Sequence, residues 1–119
     1  MAKTLKITAG GHIRVVEVDF GCLENLQREV GGLLESVYNQ RLQSYFGSNV
    51  LMVVDEEGIL KGLPMNPVGS LFYGTATHGN PIVGDVLLAV ANGEEWRAPD
   101  EDQIEEWKTR LKQDFWLKE

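Results

Sequence analysis

Two histidines, His12 and His78, are all the imidazole this 119-residue chain offers, and both stand in glycine-containing loops without a His-x-x-x-His helix. Metal binding by imidazole needs ligands that converge, so this spacing points to no metal site. The run Asp55-Glu56-Glu57-Gly58 lacks the alternating ligands of a calcium loop and reads as a solvated turn. Nucleophilic catalysis needs a base within reach of a presented hydroxyl or thiol. No Gly-x-Ser-x-Gly elbow is present, because Gly69-Ser70-Leu71 lacks the other glycine. Leu63-Pro64, after Gly62, stands where a phosphate-cradling loop would carry Lys-Ser. No catalytic residue, metal or cofactor is therefore expected.

The densest polar cluster is Thr75, Thr77, His78 and Asn80, with Tyr73 before it and Asp85 after it. It reads either as one wall of a small-molecule pocket or as a connector whose polar groups satisfy its own turns. As a pocket it would draw on Lys61, Asn66, Tyr73 and His78, between subunits, and hold a nucleotide signal by aromatic stacking and a base or two. His78 as a proton carrier would need a carboxylate partner, for which Asp85 is the candidate.

Charge is concentrated elsewhere. The formal net charge is −7, and the segment 94–106 alone carries seven acids against Arg97. A surplus of acid argues against direct nucleic-acid binding, which consumes Lys and Arg. The segment is either a docking surface for a basic patch or a loop and dipole-matched helix start facing water. Trp107 falls on an apolar helical stripe, which leaves Trp96 and Trp116, with Glu94 and Glu95, as the expected partner contacts.

Apolar residues make up 43% of the chain and charged residues 24%, the balance of a packed globular protein. One domain over 1–119 is expected. No apolar run approaches the roughly 20 residues that span a bilayer, and the N-terminal MAKTLKITAGG lacks a secretory h-region, so a cytosolic protein without membrane contact is expected. Cys22 is the only cysteine and is expected to be a buried thiol.

These residues must be positioned by short elements. Leu5 and Ile7, then Ile13, Val15 and Val18, flank Ala9-Gly10-Gly11 and predict a β-hairpin, with a bulge or strand end near Val16. Leu23, Leu26 and Val30 at helical spacing before Gly31-Gly32 predict a short helix with a left-handed cap. Leu34 to Tyr38 alternates as a strand, and 39–48 reads as a loop carrying Tyr45 and Phe46. Val50 to Val54 predicts a central strand that hairpins through the acidic turn into Ile59-Leu60. Asn66-Pro67 opens a helix that ends at Gly74. Pro81 to Val90 reads as a long strand interrupted at Gly84-Asp85 and closed by Asn92-Gly93. Ile104, Trp107, Leu111 and Phe115 form the clearest amphipathic stripe, acids early and bases late as the helix dipole favours, with Glu106 and Arg110 four apart. The sum is an α+β fold: a mainly antiparallel sheet with two or three helices, the C-terminal amphipathic helix packed on it.

Four stretches of 23–90 together resemble one family. They are Val30-Gly31-Gly32 followed by Glu35, Val53-Val54-Asp55-Glu56-Glu57-Gly58, Leu60-Lys61-Gly62-Leu63-Pro64 leading to Asn66, and Ile82-Val83-Gly84-Asp85-Val86. The family is the phage and plasmid family catalogued as domain of unknown function 3846. Val68-Gly69-Ser70 departs from the more polar helical turn expected in relatives, and the tail from Trp96 onward, with the acidic segment and final helix of 94–119, reads as this chain's own addition. The resemblance implies a small protein carried by phages or mobile elements, with no catalytic residues to transfer. The leading expectation is a non-enzymatic accessory protein that captures a host protein, a host-defence antagonist. Sequestration of a small-molecule ligand is the alternative, and an enzyme of unfamiliar type a third. A symmetric homodimer or higher oligomer is compatible with any of them.

Overall fold

The computed structural model describes residues 2–75 and 79–119. Six strands and four helices lie among them: β1 (Ala2–Ile7), β2 (Ile13–Val18), α1 (Leu23–Val30), β3 (Leu34–Val37), α2 (Gln40–Phe46), β4 (Val50–Asp55), α3 (Pro67–Tyr73), β5 (Val86–Asn92), β6 (Glu95–Arg97) and α4 (Glu101–Phe115). The strands form one antiparallel sheet in the order β2-β1-β5-β4-β3, with β6 hairpinned onto β5. This is the α+β architecture expected, and α4 packs on the sheet. No helix among the described residues is long and apolar enough to cross a membrane.

Alternation sorts the two central strands between faces, because side chains of successive strand residues point to opposite sides. Val50, Met52 and Val54 of β4 and Val86, Leu88 and Val90 of β5 meet the helical layer of α2, α3 and α4. Leu51 and Val53, with Leu87 and Ala89, face α1 through Leu26 and Val30. Both central strands are thus buried on both sides, which is why they read as continuous apolar runs. On the α4 face, Trp107 is 1% exposed and its Nε1 donates to the Phe46 carbonyl at 3.1 Å.

Several local expectations change. Residues 39–48 contain a helix, with the Asn39 side chain accepting from the Leu42 amide and Leu42 and Phe46 buried four apart. Ile59-Leu60 is not a strand: residues 56–62 form consecutive turns, and β4 pairs β3 and β5 instead. Only Val86–Asn92 of the long strand is ladder; Pro81 to Asp85 contributes one bridge, Met65 to Val83. No bulge interrupts β2, whose pairing with β1 runs unbroken from Ile13 to Val18. Val15 and Val16 simply point to opposite faces. Arg110 leaves Glu106 and sits over the Tyr45 ring, 4.2 Å from its centroid, donating to the Tyr45 carbonyl. Cys22 is half-buried at the start of α1 rather than enclosed.

Where β1 parts from β5 beyond Lys6 and Leu87, the buried Thr4 hydroxyl donates to the Leu88 carbonyl in place of a backbone amide. That substitution satisfies the carbonyl and leaves the far end of the β5 edge, Val90 to Asn92, to β6.

Candidate partner-binding face

The β5–β6 hairpin turns through Gly93 and Glu94, since Asn92 pairs with Glu95. Gly93 has φ 65°, a conformation that costs glycine little and that two-residue hairpins require at the first position of a type II′ turn. The turn carries Glu94 and Glu95 into solvent. It also sets Trp96 opposite Ala91, on the α1 side of the sheet, where the indole packs against the cluster of Val18, Leu26 and Ala89.

Facing the hairpin is the turn after β2. The Asp19 carboxylate accepts from the Gly21 amide at 2.9 Å, and the Asn25 side chain accepts from the Asp19 amide at 2.8 Å. These bonds fix the turn that leads into α1 at Leu23, and Phe20 packs against the α1-side cluster that includes Val18 and Leu26. Leu23 opens α1 and is 61% exposed although it shares the apolar spacing of Leu26 and Val30. Phe20, Leu23, Leu26 and Trp96, with Glu94 and Glu95, line an open cleft of about 470 Å³. The expected contacts Glu94, Glu95 and Trp96 therefore converge. Trp116 does not join them: it ends α4 on the opposite layer, 86% exposed, in a left-handed conformation with φ 55°.

The residues expected to bind a small molecule are placed differently. Lys61 Nζ lies 2.8 Å from the Asp55 carboxylate and 3.0 Å from the Gly31 carbonyl, pinning the 56–62 turns to the end of α1. Asn66 is 0% exposed; its amide donates to the carbonyls of Ile7 and Gly84, and its oxygen accepts from the Gly69 amide. Asp85 accepts from the Ala9 amide at 3.1 Å and sits 3.7 Å from Lys6. Tyr73 lines a cleft of about 160 Å³ with Glu35, Asn80 and Pro81, against roughly 300–1,000 Å³ for typical ligand sites. His78 and Thr77 lie outside the described residues. Three of the five thus spend their polar atoms on the fold itself.

Sequence reasoning missed Phe20, Leu23 and Leu26 as cleft residues. Leu23 beside Glu24, at the first position of a helix, was the available signal. It also missed a second groove of about 500 Å³ over α2 and α3, lined by Arg41, Tyr45, Leu71, Phe72 and Phe115. There the Tyr45 phenol is pushed well above its ordinary pKa by burial and by its 2.6 Å hydrogen bond to Asp114, so it stays protonated. Among the described residues no three metal-ligating side chains converge.

No curated protein and no solved structure matches the chain. A family model does, over residues 2–112, a span that takes in β6 and most of α4 as well as 23–90. The chain accordingly belongs to the family described as Domain of unknown function (DUF3846).

Proposed function

We propose that this protein is a non-enzymatic binding module whose cleft between α1 and the β5–β6 hairpin receives a segment of another protein, an apolar anchor flanked by basic residues. The observation that carries the reading is the convergence of Trp96, Phe20 and the exposed Leu23 under the rim of Glu94 and Glu95. Aromatic anchors in a pocket supply most binding energy at protein interfaces, and rim charges mainly steer and select. In its biological form the module is an accessory protein of a phage or mobile element, acting in the cytosol of a host on a host protein, as a defence antagonist. A nucleotide-signal pocket has less support, because Lys61 and Asn66 are occupied by internal bonds.

The test is a fluorescence titration with two synthetic amphipathic peptides, one of Leu and Lys and one of Leu and Glu. The basic peptide is expected to bind and the acidic one not. Trp96→Ala should weaken binding about tenfold or more, and Glu94→Gln with Glu95→Gln by about three- to tenfold, more at low salt. Glu105→Gln with Glu106→Gln, outside the cleft, should change little. Equal affinity for wild type and the cleft variants would remove the proposal.

A further inference from the structure

β3 ends the sheet, and among the described residues no strand pairs with its outer edge. The hydrogen-bond phase is set by the Glu56 amide, which donates to the Leu33 carbonyl at 2.8 Å. Antiparallel pairs alternate between bonded and non-bonded positions, so residues 33, 35 and 37 turn their backbone groups to β4 while Leu34 and Ser36 turn theirs outward; Tyr38 follows directly on the strand end. Natural edge strands are usually blunted by shortness, charged side chains, Pro, a bulge or a covering segment. The opposite edge shows such protection: the Ile13 amide donates to the Lys118 carbonyl at 2.7 Å, the Lys118 amide to the Gly11 carbonyl at 3.1 Å, and Arg14 and Glu17 are exposed along β2. Leu34–Val37 is four residues long and carries one charge, Glu35, whose backbone groups face β4; it has no Lys, Pro or bulge, and its pairing with β4 is unbroken. Large apolar side chains flank it, with Leu33 49% and Tyr38 57% exposed.

We propose that the occupant of this edge is a second copy of the same chain, paired β3 to β3 about a two-fold axis at Ser36, so that the two sheets run on as one. The strand is self-complementary in that register, and its one charge decides between registers. An axis at Ser36 sets Leu34 against Tyr38 of the second copy, Ser36 against Ser36, and Glu35 against Val37. No like charges meet, and two Leu–Tyr pairs form on one face. An axis at Glu35 would set two carboxylates directly opposite one another, which is unfavourable. The pairing is independent of the cleft reading, since Trp96 and Leu23 belong to other elements.

Sedimentation of the full chain over a concentration series tests it. The wild type should rise from 13.3 kDa to twice that mass. Ser36→Pro removes only an outward amide, so it should keep the far-ultraviolet spectrum and weaken association at least tenfold. In a Cys22→Ser background, Ser36→Cys should cross-link to a dimer on mild oxidation, because bonded pairs sit about 5.5 Å apart and disulfides span about 4.4–6.8 Å. Glu35→Cys should not. A wild type that stays at 13.3 kDa up to about 1 mM, a dimer that survives Ser36→Pro, cross-linking at position 35 rather than 36, or capture of a foreign strand at this edge by monomers would each overturn the proposal.

Discussion

Replacing Asn66 by Asp separates two accounts of a residue that heads α3. As a helix cap alone, Asp serves as well as Asn, and the change would be close to neutral. The geometry says otherwise. The Asn66 amide nitrogen stands 3.0 Å from the Ile7 carbonyl and 2.9 Å from the Gly84 carbonyl, fully buried, while its oxygen takes the Gly69 amide at 3.0 Å. Asn66→Ala forfeits all three bonds at roughly 1 kcal/mol each, or about 3 kcal/mol. Asn66→Asp keeps the cap bond and turns two attractions into contacts between a carboxylate and carbonyl oxygens. Its cost should exceed that of alanine, at about 4–5 kcal/mol near neutral pH. Against a typical stability of roughly 5–15 kcal/mol this leaves a marginal fold. Urea unfolding followed by circular dichroism reads both values, and the alanine variant should melt about 12 °C lower. Acidification should narrow the gap, since a protonated carboxyl can again donate to one carbonyl. An Asn66→Asp protein within about 1 kcal/mol of wild type, or more stable than Asn66→Ala, would refute the account of Asn66 as a three-way tie.

Gly32→Ala should destabilise by about 1–2 kcal/mol, because an added Cβ would push the mobile Lys61 ammonium off the buried Asp55 carboxylate and press on both Asp55 oxygens; thermal unfolding of the variant checks it. At the chain end, hydrogen bonds from Lys108 first and then Lys112 hold the Glu119 carboxyl below its ordinary pKa. A carboxyl lowered in the folded state contributes above its unfolded value and loses that contribution as pH falls through the folded one. Tail docking should therefore weaken below about pH 4, read from the chemical shift of the Ile13 amide, which donates to Lys118. A shift flat to pH 2 in a still-folded protein would contradict it.

Much of the sheet was legible because its strands carry period-two or continuous apolar patterns. The first hairpin, the run Val50 to Val54 and the stripe of Ile104, Trp107 and Leu111 all lie where their residues place them. The helix Gln40–Phe46 was hidden by its polar surface, although Asn39 as cap and the buried pair Leu42 and Phe46 were its signals. Ile59-Leu60 imitates a strand by composition, yet Lys61 ties the segment back to Asp55 and Gly31, a long-range demand that local pattern does not express. The candidate site was half legible. Acidic charge and Trp96 marked one wall of the cleft, whereas Phe20 and Leu23 form the other only because β2 and β6 are brought to the same end of one sheet.

The placement of β5 between β1 and β4 has a consequence for biosynthesis. β1 and β2 leave the ribosome first, and β3 and β4 follow, but the strand that joins these two pairs starts only at Val86. At roughly 5–20 residues per second the nascent chain holds two disconnected ribbons for several seconds, each with one apolar flank open to chaperones or to a neighbouring polysome product. A message truncated before Val86 would yield those ribbons permanently, making proteolytic clearance rather than residual activity its natural fate.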